Sequence, residues 1–358
     1  MNGIRPLTPG DLPAVAALRQ RSFEHSSHST PTSLRAYMER VFFASPWADA
    51  ALPPLVYESE GKVVGFLGVV ARRFIYRGEP LRAAVGTQFV VAPEHRGLVG
   101  LQLLWTFLNG AQDLSLADVA NATTQQVWEG LGGRSALLFS FYWVRALRPA
   151  RHMAAWLGDD QLIRGIRFAA RPLLNGIDAL LARRDSASPM SVEPPGPREA
   201  LEPEALLDAL PGVLDHISLR PDYDERGLRW LMDEVAQKSG PGALEGATVR
   251  RPGGDVVGWY LFLANPGGTG QVVQMAARAG EGGVVLDQLF SHARQLGLVA
   301  LAGRLEPTFT EELHARRCTF TREGPRVLAH ARRPELLNAL ERGDAFFSRL
   351  DGEWWMSF

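Results

Sequence analysis

Cysteine is almost missing from this sequence: Cys318 stands alone among 358 residues. That excludes an internal disulfide framework and any cysteine-rich zinc or iron–sulfur centre. Lysine is nearly as scarce, with Lys62 and Lys238 the two present, so arginine carries almost all of the 38 basic side chains. No sign of charge dominates: 39 acidic residues leave a formal net charge of -1. The net basic domain or stripe that marks a nucleic-acid protein is therefore absent. No uncharged apolar run reaches the length of roughly 18 residues that a spanning helix needs. The opening MNGIRPLTPGDLP lacks the basic head and apolar core of a signal peptide. No HExxH metal motif and no GxSxG nucleophile elbow occurs. The expectation is a soluble, cytoplasmic protein, monomeric or weakly dimeric, with no nucleic-acid partner and no transmembrane segment.

What is present is enough apolar sequence for a real core, 46% of residues against 22% charged. The length is more than one ordinary domain requires. Residues 185–204, DSASPMSVEPPGPREALEPE, hold five prolines with serine, glycine and acid, a composition suited to a linker. A helical but proline-interrupted stretch precedes them, QLIRGIRFAARPLLNGIDALLARR (161–184), broken at Pro172. The sequence thus divides into a first domain at 1–147, a helical segment and linker at 148–210, and a second domain at 211–358.

The first domain reads as a strand at 3–6, a helix opened by Pro9-Gly10-Asp11, and a second helix near 31–43. A hairpin follows, LVYES (55–59) and KVVGFLGVVARRF (62–74), turning at Glu60-Gly61. Then come a strand LRAAVGTQFVVA (81–92), a helix over 98–108, a buried strand LSLADV (114–119), a helix from Asn121 to Gly133, and further strand in 135–147. The second half echoes this vocabulary. GDVVGWYLFLA (254–264) repeats GKVVGFLGVVA (61–71), and LVALAGRL (298–305) repeats LSLADV. The drifting offset over about 100 residues predicts two copies of one α/β unit, each a mixed α+β sheet.

The stretch VVAPEHRGLVGLQLLWTFL (90–108) is the most informative. A strand ends at Ala92, a turn follows, and a helix begins. Free amides at such a helix start, with the helix dipole behind them, suit a phosphate or pyrophosphate. Arg96 adds a guanidinium, and Gly97 and Gly100 permit close approach.

The β-α-α-β-β-β-α-β-α-β order with a basic glycine turn after the fourth strand resembles the GNAT superfamily of CoA-dependent N-acyltransferases. In the family pattern Arg96 matches the first position, while Val99 and Leu101 hold the glycine places and Gly97 and Gly100 stand off register. The doubled arrangement resembles tandem relatives such as mycothiol synthase, the Fem-type aminoacyltransferases and N-myristoyltransferase. The resemblance implies acetyl-CoA or another acyl-CoA as co-substrate and a primary amine of a small molecule or peptide as acceptor. It puts the thioester and pantetheine along Phe89-Val90-Val91, and the diphosphate at Arg96, Gly97, Val99 and Gly100. Asn121 falls where a cofactor contact is common, and Trp128 where the family often has a tyrosine acid. An indole cannot protonate a thiolate, so that role stands vacant.

Candidate bases are Glu94, Asp118, His95 and Glu58, with Phe358 as a terminal carboxylate of the kind some tandem relatives use. Thr87 and Gln88 are candidates to line the acceptor site. In the second half Arg278 and Gly283 suit the phosphate pattern, but Glu281 puts a carboxylate in the phosphate path, so that half is expected to be degenerate; Arg304 and Glu306 end its fifth strand. The tail DGEWWMSF joins Trp354 and Trp355 to an acidic turn. Three readings stay open: an acyl-CoA-dependent N-acyltransferase, a non-catalytic acyl-CoA-binding or sensor protein, and a transferase drawing on aminoacyl-tRNA or an acyl carrier protein.

Overall fold

The strands run, in chain order, β1 (Gly3–Pro6), β2 (Leu55–Ser59), β3 (Lys62–Tyr76), β4 (Glu79–Val91), β5 (Leu114–Ala120), β6 (Arg134–Ser135), β7 (Tyr142–Ala146), β8 (Glu199–Ala200), β9 (Leu219–Pro221), β10 (Leu244–Arg250), β11 (Val256–Leu263), β12 (Thr269–Ala277), β13 (Ala300–Arg304), β14 (Thr319–Thr321) and β15 (Arg326–Ala331). The helices are α1 (Leu12–Ser22), α2 (Pro31–Phe43), α3 (Leu98–Leu108), α4 (Ala122–Gly130), α5 (Pro149–Ala155), α6 (Pro203–Leu214), α7 (Glu225–Ala236), α8 (Gly282–Gln295), α9 (Thr310–Ala315) and α10 (Pro334–Glu341). This is a computed structural model that describes residues 3–22, 31–155, 173–174, 176–178, 199–238 and 242–356. Most of the predicted 161–184 helix and of the 185–204 linker lies outside the described residues. No helix among the described residues is long and apolar enough to cross a membrane.

Two units emerge, each built on one mixed sheet. The first comprises 1–140, 217–238 and 325–358; the second comprises 141–216 and 239–324. The first sheet has the order β1-β2-β3-β4-β5-β15-β6, with β9 added to β3. Two-residue turns at Glu60-Gly61 and Arg77-Gly78, all four with positive φ, join β2 to β3 and β3 to β4. That is the turn geometry whose twist matches a right-twisted hairpin. Among the described residues β4 and β5 are the parallel pair of this sheet. In its core Leu103, Leu104 and Phe107 of α3 pack with Leu67, Ala84 and Trp128. A further cluster joins Leu114, Leu116, Val327 and Leu336. The second sheet has the order β14-β7-β13-β12-β11-β10-β8, with β12 and β13 parallel, and its core gathers Trp143, Tyr260, Phe262, Phe290 and Leu313.

The sequence reading drew two consecutive halves, cut at 147 and 211. The chain is grouped differently. β7, from the first half, pairs with β13 and β14 in the second sheet, while β15, from the second half, covers the outer edge of β5. β9 and α7, read as the start of the second domain, belong to the first unit. The physical reason is edge satisfaction. Each parallel pair leaves the outer side of its second strand with open amides and carbonyls, and a strand from elsewhere in the chain closes it. The alternating burial of β7 fits either sheet, so pattern alone leaves its sheet undecided. The end of the predicted linker is also corrected: Pro203 opens α6, where a missing amide is no loss and its fixed φ suits the first turn.

This exchange makes a direct prediction. Residues 1–147 expressed alone lack β15, β9 and α7, and should show no cooperative thermal transition by circular dichroism. A sharp transition in that fragment would contradict the topology.

Candidate functional site

The site grows from the parallel pair in the first unit. β4 and β5 are in register at Ala83 with Leu114, Ala84 with Ser115 and Val85 with Leu116, and at no later residue. Past Val85 the two strands part. β4 is further turned by a bulge: Phe66 faces Val90 and Gly68 faces Thr87, so Leu67 stands opposite both Gln88 and Phe89. Gln88 carries the extra residue in the left-handed region at φ 54, a conformation that costs a non-glycine residue and re-aims the strand beyond it.

The gap between the strands is a cleft with two arms. One arm, about 440 Å³, is lined by Phe89, Val90, Val91, Arg96, Gly97, Gly100, Thr123, Thr124 and neighbours. The other, about 260 Å³, is lined by Gly86, Thr87, Gln88, Ala117, Val119, Glu353, Arg19 and neighbours. Phe89, Leu104, Asn121 and Thr124 border both. The first arm opens on the start of α3, where Gly97 is the cap residue at φ 98 and no side chain caps the helix. A Cβ on Gly97 would meet nothing within 4 Å. The start of this 11-residue helix, without a capping side chain among the described residues, thus borders the arm beside Arg96, and a helix start of this kind suits a phosphate.

Most of the predicted contact residues come together there. Phe89, Val90, Val91, Arg96, Gly97, Gly100 and Asn121 all line the arm. Val99 is the exception: its side chain is buried in the core and crowds Gly65, because it falls on the inward face of α3. Asn121 caps α4, its Oδ1 accepting from the Thr124 amide at 2.9 Å, which leaves its amide nitrogen for other contacts. Trp128 is 1% exposed. Its Nε1 donates to the Ala329 carbonyl at 3.1 Å, and it sits 5.9 Å from the Phe107 ring, so this indole borders the cleft as a core residue.

The candidate bases are placed as follows. Glu94 is exposed on the short turn Pro93–His95 and does not line the cleft. His95 lies half-buried in the same turn. Glu58 is bound to Arg5 at 2.8 Å. Phe358 lies outside the described residues. Arg304 and Glu306 are buried within the second unit, and Glu281 there pairs with Arg251. Asp118 is buried, and its Oδ1 accepts from the Glu353 amide at 2.6 Å.

That last contact leads to the residue the sequence reading missed. Glu353 lines the second arm. Its Oε1 accepts from the Val119 amide at 3.2 Å, on the edge of β5 that faces the gap, and Thr87 donates to it from β4. Burial, then the charge of Asp118, push its carboxyl up to about 8. A carboxylate held near neutrality beside an open cavity has the character of a general base.

Glu353 is held there by a turn of buried polar groups. Asp351 Oδ2 accepts from the Ser348 amide at 2.7 Å and its hydroxyl at 2.6 Å, and Tyr223 donates to the other oxygen. Arg72, 4% exposed, donates from Nε to the Asp351 carbonyl at 3.2 Å and lies against Trp47 and Trp355. Burial lowers its pKa to about 10, so it remains a cation. Trp355 Nε1 donates to the Leu350 carbonyl at 3.1 Å. Tyr37 and Gln88 both donate to the Met356 carbonyl. The sequence carried a signal, the acidic residue inside DGEWWMSF, but nothing local shows that this turn reaches β5.

No family model and no curated protein matches the sequence. Solved structures do match, each over 92% of this chain. A probable N-acyltransferase of Enterococcus faecalis V583 aligns with TM-score 0.60 and 10% identity over 73% of its own chain. A GCN5-related N-acetyltransferase of Anabaena variabilis aligns with TM-score 0.58 and 12% identity over 72%. The N-myristoyltransferase of Saccharomyces cerevisiae, solved with bound myristoyl-CoA and inhibitors, aligns with TM-score 0.54 and 11% identity over 80%. At such identities the likeness is one of architecture, and with the split parallel pair in each sheet it shows that this chain has the tandem GCN5-related N-acetyltransferase fold.

Proposed function

We propose that the protein is an acyl-CoA-dependent N-acyltransferase whose working cleft lies in the first unit. One observation carries the reading: two cavities that share Phe89, Leu104, Asn121 and Thr124 as walls lie side by side, one against Arg96 and the start of α3 and the other against the buried carboxyl of Glu353. The residues present fit such a donor. Arg96 and the amides at the start of α3 would hold the diphosphate. The edge of β4 from Gly86 to Val91, which has no strand partner on its β5 side, would pair with the amide-bearing pantetheine arm. An amide of the bulged segment would polarise the thioester carbonyl.

Glu353 would take the proton from the acceptor ammonium. The freed amine nitrogen attacks the carbonyl carbon, the C–S bond breaks with its electron pair going to sulfur, and the second proton of the attacking nitrogen passes to the leaving thiolate or to water as the amide forms. Holding the donor in one arm and the acceptor in the adjoining one of about 260 Å³ would supply much of the rate through positioning. No side chain at the Trp128 place protonates the thiolate, because that indole N–H is committed to Ala329. A second reading rests on that fact: a binding protein that holds acyl-CoA without turnover. Release of free thiol from acetyl-CoA in the presence of amines separates the two.

Two outcomes are expected. Glu353→Gln should bind acetyl-CoA by calorimetry as the parent does, yet lose about 10²–10⁴-fold in kcat/KM. In the parent kcat/KM should rise with pH and level off above about 8, where Glu353 is deprotonated. The same group lowers stability as pH rises. Its folded pKa lies above the unfolded value, so the folded state holds the extra proton between about 4.5 and 8 and loses that advantage through this window. The melting temperature of Glu353→Gln relative to the parent should accordingly climb from pH 5 to pH 8, and a flat difference would reject the raised pKa. Gly352→Ala is the positional test. A Cβ there would lie 2.3 Å from the Asp118 carboxylate, so this variant should lower kcat while leaving KM for acetyl-CoA within about two-fold, since the donor arm is untouched.

A further inference from the structure

A thioester cleaved in this cleft releases a thiolate, and the indole at the Trp128 place is committed to the Ala329 carbonyl. Charge that develops on sulfur inside a cavity needs a donor from the protein, because little water is left there to meet it. On the acyltransferase reading the pantetheine chain enters through the arm beside Arg96 and the amine through the arm beside Glu353. The C–S bond then falls at the walls the two arms share, Phe89, Leu104, Asn121 and Thr124. The side chains of Phe89 and Leu104 have no hydrogen to donate. Asn121 is the exposed cap residue of α4, and its Oδ1 is held by the Thr124 amide at 2.9 Å. Thr124 makes that bond through its backbone, and among the described residues its hydroxyl is engaged in no hydrogen bond. It is half-buried. It stands four residues before Trp128, hence on the same face of α4 and one turn nearer the helix start.

We infer that Thr124 is a catalytic residue of this cleft, its Oγ1–H donating a hydrogen bond to the sulfur as the C–S bond breaks. This rests on the acyltransferase reading above and adds the group that receives the leaving sulfur. The hydroxyl stabilises the thiolate and does not protonate it, since an alcohol is a far weaker acid than a thiol. The electron pair of the broken bond goes to sulfur. The second proton of the attacking nitrogen reaches that sulfur directly or through water, and Thr124 ends the step with its own proton. A thioester sulfur is a poor acceptor and a thiolate a good one, so this bond strengthens as charge develops. It therefore lowers the barrier more than it tightens the bound thioester.

The test reads the bound thiol as well as the rate. CoA is titrated on the parent, Thr124→Val and Thr124→Ser, with ionisation of its thiol followed by the ultraviolet absorbance of the thiolate. Valine keeps the shape of threonine and removes the hydroxyl. Loss of a hydrogen bond to a charged atom should place the thiol pKa of bound CoA about one to two pH units higher in Thr124→Val than in the parent, and Thr124→Ser should restore it. With acetyl-CoA and an amine that the parent acylates, kcat should fall roughly ten- to a hundred-fold in Thr124→Val. Affinity for CoA by calorimetry should stay within about two-fold, since the bond belongs to the charged sulfur. If Thr124→Val does not give a cooperative unfolding transition, Thr124→Ala carries the same comparison. An unchanged kcat in the variant overturns the inference and leaves the acyltransferase reading standing. A lowered kcat with an unchanged thiol pKa does the same, because it marks a structural effect. A parent that binds CoA yet releases no thiol from acetyl-CoA with amines overturns both, as does absence of CoA binding.

Discussion

The separation of β4 from β5 after three paired residues is the constraint on which the rest depends. A parallel pair that stayed in register to the strand ends would satisfy its own amides and close the gap. Here the left-handed Gln88 and the bulge opposite Leu67 bend β4 away, and its edge is left without a strand partner on that side. An unpaired edge inside a folded unit is a standing cost. It is tolerated where a ligand or another segment supplies the missing bonds. In this unit the terminal turn supplies some: Glu353 accepts from Val119, and the Met356 carbonyl accepts from Gln88. In the arm beside Arg96 no side chain caps α3 and no strand pairs with this edge of β4 among the described residues.

The second constraint is the buried polar turn at 348–356. Asp351, Ser348, Tyr223 and Arg72 form a network in which the carboxylate oxygens are bonded and the cation lies against two indoles. Such networks are costly when incomplete and rigid when satisfied. Burial pushes the pKa of Asp351 up, and its bonds to Ser348 and Tyr223 and the charge of Arg72 oppose that shift. Rigidity here bears on Glu353, which sits two residues further on; in the role proposed for it, a base has to be held close to its proton. Burial is the main cause of the raised pKa of Glu353; Asp118 adds to it, its charge disfavouring ionisation, while its oxygen holds the Glu353 amide.

The two units use the same architecture with different contents. In the first the helix start after the fourth strand is open. In the second Arg316 reaches from the end of α9 to the Gly283 carbonyl and to both oxygens of Asp287, and Glu281 at the head of α8 pairs with Arg251. That helix start is occupied by the protein's own charges.

Local sequence made the elements between residues 3 and 130 legible to within a few residues, and left β15 and α10 of the same unit unread. The Glu60-Gly61 turn, the long β3, the Arg96–Gly100 helix start and the Asn121 cap are local matters, governed by glycine conformation, periodicity and capping within a few residues. Much of the arm beside Arg96 was legible as well, because Phe89, Val90, Val91, Arg96, Gly97 and Gly100 lie within twelve residues of chain. Tertiary structure alone decided where β7 and β15 pair, since a strand's own pattern states which face is buried and says nothing of its neighbour. It alone decided that Val99 faces the core while Gly97 faces open space. It alone joined Arg19, Thr87, Asp118 and Glu353, which lie up to 334 positions apart in the chain. Their chemistry comes from shared burial and mutual charge, and these are properties of distance in space that no spacing along the chain encodes.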